Sequence, residues 1–316
     1  MRWADIDAQS VLPTPFSDER FVAGLAAVFG WSVRRVDTTV GLSALLVERR
    51  TGPFREIVLP PFAPWTALAL DTNPGEPLPN TGLQELCEML RNVGIPALLS
   101  LPASWPQPLP ALPGWTVRER DTAVLTTGTL ETVLSGYSSS SRRTFRKHAD
   151  EYVCAETSRS PSVESDVRAT IDLLANAYGR HGRTLPGGSP ARMADLALLM
   201  LKVGRARMYT ARRQSDNGIA AGIVVLHRGS TAWYWLSGSV PGPAMSVLVG
   251  TAAADLAEQG IRNFDLMGAN TPSIAEFKRR LGAERVTYAH LILPGNGMPA
   301  LLAAARRTVG RFRGAS

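Results

Sequence analysis

The order of helical and strand-like segments after residue 160 restricts the fold more than any other feature. Apolar residues recur at helical spacing in four of these segments, and five others are typical of strands. In chain order we predict helices over 163–179 and 191–203, strands over 206–212, 218–227 and 231–239, a helix over 244–259, a strand over 263–267, a helix over 271–282 and a strand over 285–293. This order predicts an α/β (α+β) domain with a mixed, mainly antiparallel sheet flanked by helices.

The first 130 residues show shorter elements that are interrupted by proline. We predict helices over 21–29 and 83–91 and strands over 43–47, 56–59 and 115–126. Proline-rich segments at 60–65 and 102–113 must be loops, because proline lacks a backbone N–H donor. No cluster that suggests chemistry occurs before residue 137.

A chain of 316 residues is long enough for two domains. We expect one domain over residues 1–130 and another over 163–316, joined by a basic linker or helix over 131–162. The amino-acid composition, with 45% hydrophobic and 19% charged residues, is typical of a globular protein. Cys87, Cys154 and four scattered histidines lack the spacing of a zinc site or a disulfide framework, so no metal is expected.

The N-terminal residues contain no apolar signal core, and no run approaches the roughly eighteen apolar residues of a membrane span. We therefore expect a cytoplasmic protein. Charge is unevenly distributed, with a net −3 over residues 1–130 and +10 over 131–316. The second part could face an anionic partner, or the chain could simply favour arginine, since only three of its 34 basic residues are lysine.

The most basic segment follows a serine-rich stretch that ends at Ser141. Serine hydroxyls can cap a helix, which would carry Arg142, Arg143, Arg146 and Lys147 within about a turn and a half. Cations placed so closely repel one another unless an anion neutralises them, which suggests a phosphate-binding role. The alternative is a solvated helix that links two domains.

Two motifs near the C-terminus make the element order more specific. Gly260 to Gly268 contains Phe-Asp-x-x-Gly, and Phe277 to Glu284 contains Phe-Lys-x-x-x-Gly-x-Glu. Both resemble motifs in the second GNAT domain of the Fem family (FemABX type) of aminoacyl transferases, and Ser141 to Lys147 is similar to the segment with which that domain begins. The resemblance covers residues 137–316 and implies tandem GNAT-like domains, the first of them a degenerate copy over 1–130.

Lys278 and Asp265 are the candidate catalytic residues. Ile274, Phe277 and Leu281 mark an apolar stripe, and Lys278 lies at its edge, from where it could reach a cleft and hold a donor phosphate or an oxyanion. The alternative is a surface lysine. Asp265, at the end of a buried strand, could accept the amine proton, although a structural role in capping the turn at 268–270 is favoured.

Candidate substrate-binding residues come from three further places. Strand alternation predicts Tyr234, Leu236 and Gly238 on one sheet face and Trp233, Trp235 and Ser237 on the other, where one face could line an acyl pocket or simply pack. In the family, the loop after the first helix approaches the acceptor, which makes Arg180, His181 and Arg183 candidates; His181 could be a general base or a solvated side chain. Asn270 and Phe277 complete the set.

The donor is the least constrained part of the prediction. Coenzyme A-dependent GNAT enzymes hold pyrophosphate on backbone N–H groups of a loop that corresponds to Ser239–Ser246, but here Pro241 and Pro243 cannot donate. Fem-type enzymes lack that loop and use aminoacyl-tRNA, so the resemblance implies this co-substrate and no bound cofactor. A basic helix over Leu301–Arg313 could add to a tRNA-binding surface, or it could be a basic tail that packs on the domain.

The reaction implied is amide formation on an amine of a cell-wall precursor or of a specialised metabolite. One alternative is an N-acyltransferase that uses a coenzyme A or carrier-protein thioester. Another is an RNA- or phosphate-binding protein on an inactive GNAT fold.

Overall fold

A computed structural model describes residues 14–70 and 79–295. The chain forms two compact units: unit one, up to Arg120 and again from Thr287, and unit two, Asp121–Val286. This division differs from the expected domains, because residues 121–162 belong to unit two and residues 287–293 to unit one. The basic segment Leu301–Arg313 lies outside the described residues.

The helices of the described residues, in chain order, are α1 (Glu19–Phe29), α2 (Pro79–Val93), α3 (Leu130–Gly136), α4 (Ser139–His148), α5 (Val163–Gly179), α6 (Pro190–Lys202), α7 (Ala244–Glu258) and α8 (Pro272–Arg280). The strands are β1 (Ser32–Asp37), β2 (Leu42–Thr51), β3 (Phe54–Val58), β4 (Ala67–Leu70), β5 (Ala97–Ser100), β6 (Thr116–Thr126), β7 (Tyr152–Glu156), β8 (Ala206–Arg213), β9 (Ile219–Arg228), β10 (Thr231–Ser239), β11 (Asn263–Gly268) and β12 (Glu284–Leu293). None of these helices is both long and apolar enough to span a bilayer.

Unit one is built on a mixed sheet in the order β1-β2-β3-β5-β12, with β4 paired to β2. The β3–β5 pair is parallel and the other pairs are antiparallel. Helix α2 buries the side chains of Leu83, Leu86 and Leu90 against Leu99 of β5 and Leu291 of β12. This regular spacing of leucines buries one helix face and leaves the other in water, which explains why α2 forms.

Unit two carries a sheet in the order β6-β11-β10-β9-β8-β7, in which only β10 and β11 pair in parallel. Helix α7 packs on one face, where Leu248 contacts the core that includes Ile223 and Phe264. Helix α5 packs on the opposite face, where Gly222 and Gly238 leave room for Thr170. The predicted mixed, mainly antiparallel sheet flanked by helices is therefore confirmed.

The elements predicted for residues 163–293 all occur, with ends shifted by no more than a few residues. The predicted faces of β10 are wrong, because the strand has a β-bulge between Tyr234 and Leu236. Tyr234 pairs with Val225 and Leu236 with Val224, so these two side chains lie on opposite faces. Ser237 pairs with Ile223 and therefore shares the α7 face with Tyr234.

Helix α8 also differs in detail from the prediction. Thr271 occupies the N-cap position, but its side chain accepts no capping hydrogen bond. Ile274 is 45% exposed, so the buried stripe of this helix does not include it. Lys278 is buried instead, with only 7% of its surface exposed.

Replacing Gly238 with alanine should destabilise unit two, because a Cβ there would collide with the carbonyl oxygen of Thr170 and lie 2.7 Å from the backbone nitrogen of Leu174. Backbone atoms of a helix cannot move aside easily, so we expect the free energy of unfolding to fall by about 3 kcal/mol. Urea unfolding measures the change.

Gly179→Ala is the matched control, since no atom lies within 4 Å of the added Cβ. This variant should keep the wild-type stability or gain up to about 1 kcal/mol. Equal stability of the Gly238 and Gly179 variants would contradict the close packing of α5 on the sheet.

Candidate functional site

The candidate site lies where the two parallel strands of unit two stop pairing. Strands β10 and β11 pair over three residues only, ending at Trp233 and Asp265. Both strands nevertheless continue, β10 to Ser239 and β11 to Gly268. Beyond the last pair the two strands separate, and the backbone groups along the facing edges must find partners other than each other.

Lys278 supplies partners for the carbonyl groups of β11. Its Nζ donates to the carbonyl oxygens of Leu266 at 2.6 Å, Met267 at 2.9 Å and Gly268 at 2.7 Å. A lysine ammonium has three N–H donors, so these contacts use all of them. Burial lowers the pKa of Lys278 to about 8, while the nearby charge of Asp265 acts in the opposite direction.

Asp265 is fixed next to this cluster, with 4% of its surface exposed. Its Oδ1 accepts the hydroxyl proton of Thr122 and, at 2.7 Å, the N–H of Met267. Burial raises the pKa of Asp265 to about 6, because the carboxylate loses hydration; the two hydrogen bonds and the charge of Lys278 limit the rise. The carboxyl therefore holds Met267 and Thr122 rather than the turn at 268–270.

The backbone conformation of Met267 explains why the end of β11 needs so many contacts. Its φ of 61° lies in the left-handed region, which residues other than glycine rarely adopt. Asp265 holds its N–H and Lys278 holds its carbonyl oxygen. Such a conformation persists only where surrounding contacts fix it, and it occurs preferentially at functional sites.

The following turn is held by its own set of contacts. Asn270 accepts the N–H of Asp121 at 2.9 Å and donates to the carbonyl oxygen of Asp121 at 3.2 Å. The N–H of Ala269 donates to the same carbonyl at 2.8 Å. Both polar atoms of the Asn270 side chain therefore bond to the backbone of Asp121. A direct contact between Asn270 and a substrate stays a prediction.

Tyr234 brings strand β10 into the cluster. Its ring centroid lies 6.0 Å from Nζ of Lys278 and 6.2 Å from the ring of Phe264, and its hydroxyl donates to Sδ of Met245 at 3.1 Å. Burial raises the pKa of this hydroxyl to about 12, and a hydrogen bond with Ser237 opposes the rise. The structure therefore joins four of the predicted residues: Lys278, Asp265, Tyr234 and Ser237.

The remaining predicted residues occupy different places. Trp235 is buried, and Phe277 is half-buried against the core of unit two. Arg180, His181 and Arg183 are exposed at and after the end of α5, and no contact within the described part of the chain joins them to Lys278. A role for His181 as a general base stays a prediction.

The second motif also anchors helix α4. The N–H of Ser138, the N-cap of α4, donates to the carbonyl oxygen of Arg280 at 2.8 Å. Gly282 has a φ of 78°, and a Cβ there would lie 2.6 Å from the carbonyl oxygen of Gly136. Only glycine meets both requirements, so the Gly of Phe-Lys-x-x-x-Gly is needed to bring α3 and α4 against α8.

The predicted basic cluster lies on α4. Ser139 and four cations line an open surface groove of about 550 Å³, and these cations are Arg142, Arg143, Arg146 and Lys147. The structure thus gathers the predicted phosphate-binding residues on one helix, which is itself attached to the helix that carries Lys278. What the groove binds stays a prediction.

These features define a class of protein. Residues 138–279 match the family model described as "Acetyltransferase (GNAT) domain", and the separating pair of parallel strands lies inside that range. The match covers most of unit two.

Solved structures extend this likeness to nearly the whole chain. FemX has 10% sequence identity and a TM-score of 0.63, with 92% of this chain and 96% of that chain covered. The C-terminal domain of a putative lysylphosphatidylglycerol synthetase from Agrobacterium fabrum has 14% identity and a TM-score of 0.55, with 97% of this chain and 96% of that chain covered. A tandem GNAT protein from the clavulanic acid biosynthesis pathway has 16% identity and a TM-score of 0.50, covering 92% of each chain.

No curated protein matches the sequence. At these identities the solved structures establish the fold, and the predicted resemblance to Fem-like, tandem GNAT proteins is confirmed in that sense.

Asp265→Asn should change how stability depends on pH. Asp265 has a higher pKa when folded (about 6) than when unfolded (the usual 3.8), so the folded protein binds the extra proton between these values. The contribution of the carboxyl to stability is thus present at pH 4 and lost as the pH rises through 6.

Asparagine keeps the acceptor oxygen but cannot titrate. We expect the stability of the wild type, relative to Asp265→Asn, to fall by about 2 kcal/mol between pH 4 and pH 6. Urea unfolding of both proteins across this range measures the difference. A difference that stays constant, or that grows with pH, would contradict the burial of this carboxyl.

Proposed function

We propose that the protein is an acyltransferase that forms an amide or peptide bond by direct attack of a bound amine on an activated aminoacyl donor. The observation that carries the proposal is the separation of β10 from β11 after Trp233 and Asp265. Within the described residues, β10 and β11 form no further register pair beyond this point, so the backbone N–H groups along this edge of β10 are suited to polarise a carbonyl placed in the gap.

The reaction needs no covalent intermediate on the protein. The amine nitrogen bonds to the carbonyl carbon of the aminoacyl ester, and the resulting oxyanion lies against the β10 backbone. Its collapse breaks the bond to the ribose oxygen, which takes up the proton that the amine loses. Catalysis then comes mainly from positioning of the two reactants and from stabilisation of the oxyanion.

Aminoacyl-tRNA is the proposed donor. Pro241 and Pro243 remove two N–H donors from the loop before α7, which disfavours a pyrophosphate-binding loop of the coenzyme A type. The cationic groove on α4 supports a nucleic-acid donor. The likeness to FemX and to a lysylphosphatidylglycerol synthetase supports the same class. The acceptor is an amine of a cell-wall precursor or of a specialised metabolite.

Lys278 serves this function as a positioning residue. Its three N–H groups hold the carbonyl oxygens of residues 266–268, which keeps the β11 edge in place beside the gap. Contact with an oxyanion or a donor phosphate requires Lys278 to release one of these carbonyls. We assign it the first role, because that role uses the contacts already made.

A thioester donor, coenzyme A or a carrier protein, is the second candidate. It is favoured by the likeness to the tandem GNAT protein from the clavulanic acid biosynthesis pathway, whose structure was solved without AcCoA. The same likeness supports unit one as a degenerate GNAT copy. The non-enzymatic candidate is an RNA- or phosphate-binding protein on an inactive fold, and it rests on the α4 groove alone.

The test offers the purified protein charged bulk tRNA in one reaction and acyl-coenzyme A in another, each with a pool of amines, and mass spectrometry detects new amides. We expect amides with charged tRNA. If amides form only with the thioester, the donor is a thioester and not aminoacyl-tRNA. If no donor yields an amide, the enzymatic proposal is refuted.

Lys278→Met should lower kcat/KM in this assay by about 10²-fold, because the backbone beside the gap loses its fixed position. Lys202→Met, at the end of α6, is the control and should leave the rate within about twofold of wild type. Thermal unfolding establishes that both variants are folded at the assay temperature. A folded Lys278→Met enzyme with full activity would contradict the positioning role.

A further inference from the structure

We propose that helix α4 binds the phosphodiester backbone of single-stranded RNA, with successive phosphates one helical turn apart. The proposal rests on the proposed function, because it specifies the part of an aminoacyl-tRNA donor that this groove holds. Four observations support it: the spacing of the cations, the scarcity of acidic partners, an unpartnered arginine nitrogen and the absence of an exposed apolar face on α4.

The cations form two pairs along the helix axis. Arg142 and Arg143 form the first pair, and Arg146 and Lys147 form the second, four residues later. At about 1.5 Å per residue, the pairs are about 6 Å apart. One small anion can neutralise one pair, whereas a chain of phosphates can neutralise both. The groove is also open to solvent, which suits an extended ligand better than an enclosed small molecule.

Acidic side chains neutralise little of this charge. Arg143 and Lys147 form no ion pair with any residue of the described part of the chain. Arg146 contacts Glu131 at 3.2 Å, but both side chains are largely exposed, and such pairs contribute little to stability. An arriving phosphate can therefore replace Glu131 with little loss.

Arg142 differs from the others because it is held in place. It donates through one terminal nitrogen to the carbonyl oxygen of Tyr137 at 3.3 Å. Its Nε is buried and has no hydrogen-bond partner in the described structure. A charged donor without an acceptor is unfavourable, and a phosphate bound to the same guanidinium, which lines the groove, would help to offset that cost.

The apolar side of the helix argues against a membrane surface. Phe145 is the one large apolar side chain of α4, and it is buried against Tyr137, with ring centroids 6.3 Å apart. A helix that binds a bilayer inserts an exposed apolar face, which α4 does not offer. No aromatic side chain lines the groove, so bases have nothing to stack on, and we expect binding that does not depend on base sequence.

The test measures binding of the full chain to a fluorescein-labelled oligouridylate by anisotropy, in a series of salt concentrations. Each phosphate neutralised on a single strand contributes about −0.7 to the slope of log Kobs against log salt. We expect a slope of about −2 to −3 for the wild type. Oligocytidylate of the same length should bind equally well.

Arg143→Gln/Lys147→Gln removes one cation from each pair. It should reduce the magnitude of the slope by about 1.4 and weaken binding at low salt. The matched control, Arg213→Gln/Lys202→Gln, removes the same charges from other surfaces of unit two and should keep the wild-type slope. Equal slopes in the two double variants, whether changed or unchanged from the wild type, would overturn the proposal.

Inorganic pyrophosphate and phosphatidylglycerol vesicles test other occupants. Displacement of RNA by pyrophosphate at an equal concentration of phosphate would show a small-anion site and overturn the proposal. Binding to vesicles that exceeds binding to RNA, and that is lost in Arg143→Gln/Lys147→Gln, would also overturn it.

These measurements are independent of turnover. If amides do not form but the slopes behave as expected, the RNA site stands and the proposed function falls. If amides form from charged tRNA while the slope is the same in all variants, the inference about α4 falls and the proposed function stands.

Discussion

The contact between the Lys278 ammonium and three backbone carbonyls determines the rest of the site. Two parallel strands that stop pairing inside a protein leave polar backbone groups that would be buried without partners. Lys278 satisfies the carbonyls of residues 266–268, and this allows β11 to diverge from β10 without losing hydrogen bonds. Asp265 and Asn270 then fix the six-residue segment 265–270 from its two ends. The gap is therefore a stable feature of the fold, and the proposed reaction would take place there.

The two C-terminal motifs act together in this arrangement. Phe-Asp-x-x-Gly provides the carbonyls and the carboxyl, and Phe-Lys-x-x-x-Gly-x-Glu provides the ammonium that binds them. Gly282 at the end of the second motif allows α3 to approach α8, and Ser138 attaches the start of α4 to the same helix. A donor held along α4 would in this way be connected, through one helix, to the gap in which we propose that its acyl group reacts.

The sequence predicted the elements of unit two from residue 163 onward and the residues of both motifs, because helical spacing, strand-like runs and glycine stops are local signals, but it did not predict α3 or β7. It did not predict the direction of the Lys278 side chain, since spacing places its Cα at the edge of a stripe and a long side chain can turn either way. The bulge in β10 was missed because the prediction assigned residues to the two sheet faces in strict alternation, and the sequence around Tyr234 and Leu236 does not mark the extra residue. The left-handed backbone of Met267 depends on contacts with Asp265 and Lys278, which no local pattern encodes.

The most direct measurement is the titration of Lys278 by NMR in protein labelled with 15N-lysine. The chain contains only three lysines, so Lys278→Met identifies the signal by its loss. The structure predicts a pKa of about 8 for this ammonium and slow exchange of its protons with water, as expected for a buried donor whose three N–H groups are all bonded. A pKa near the usual value of about 10.4, with fast exchange, would show that Lys278 is in solvent and would contradict the account.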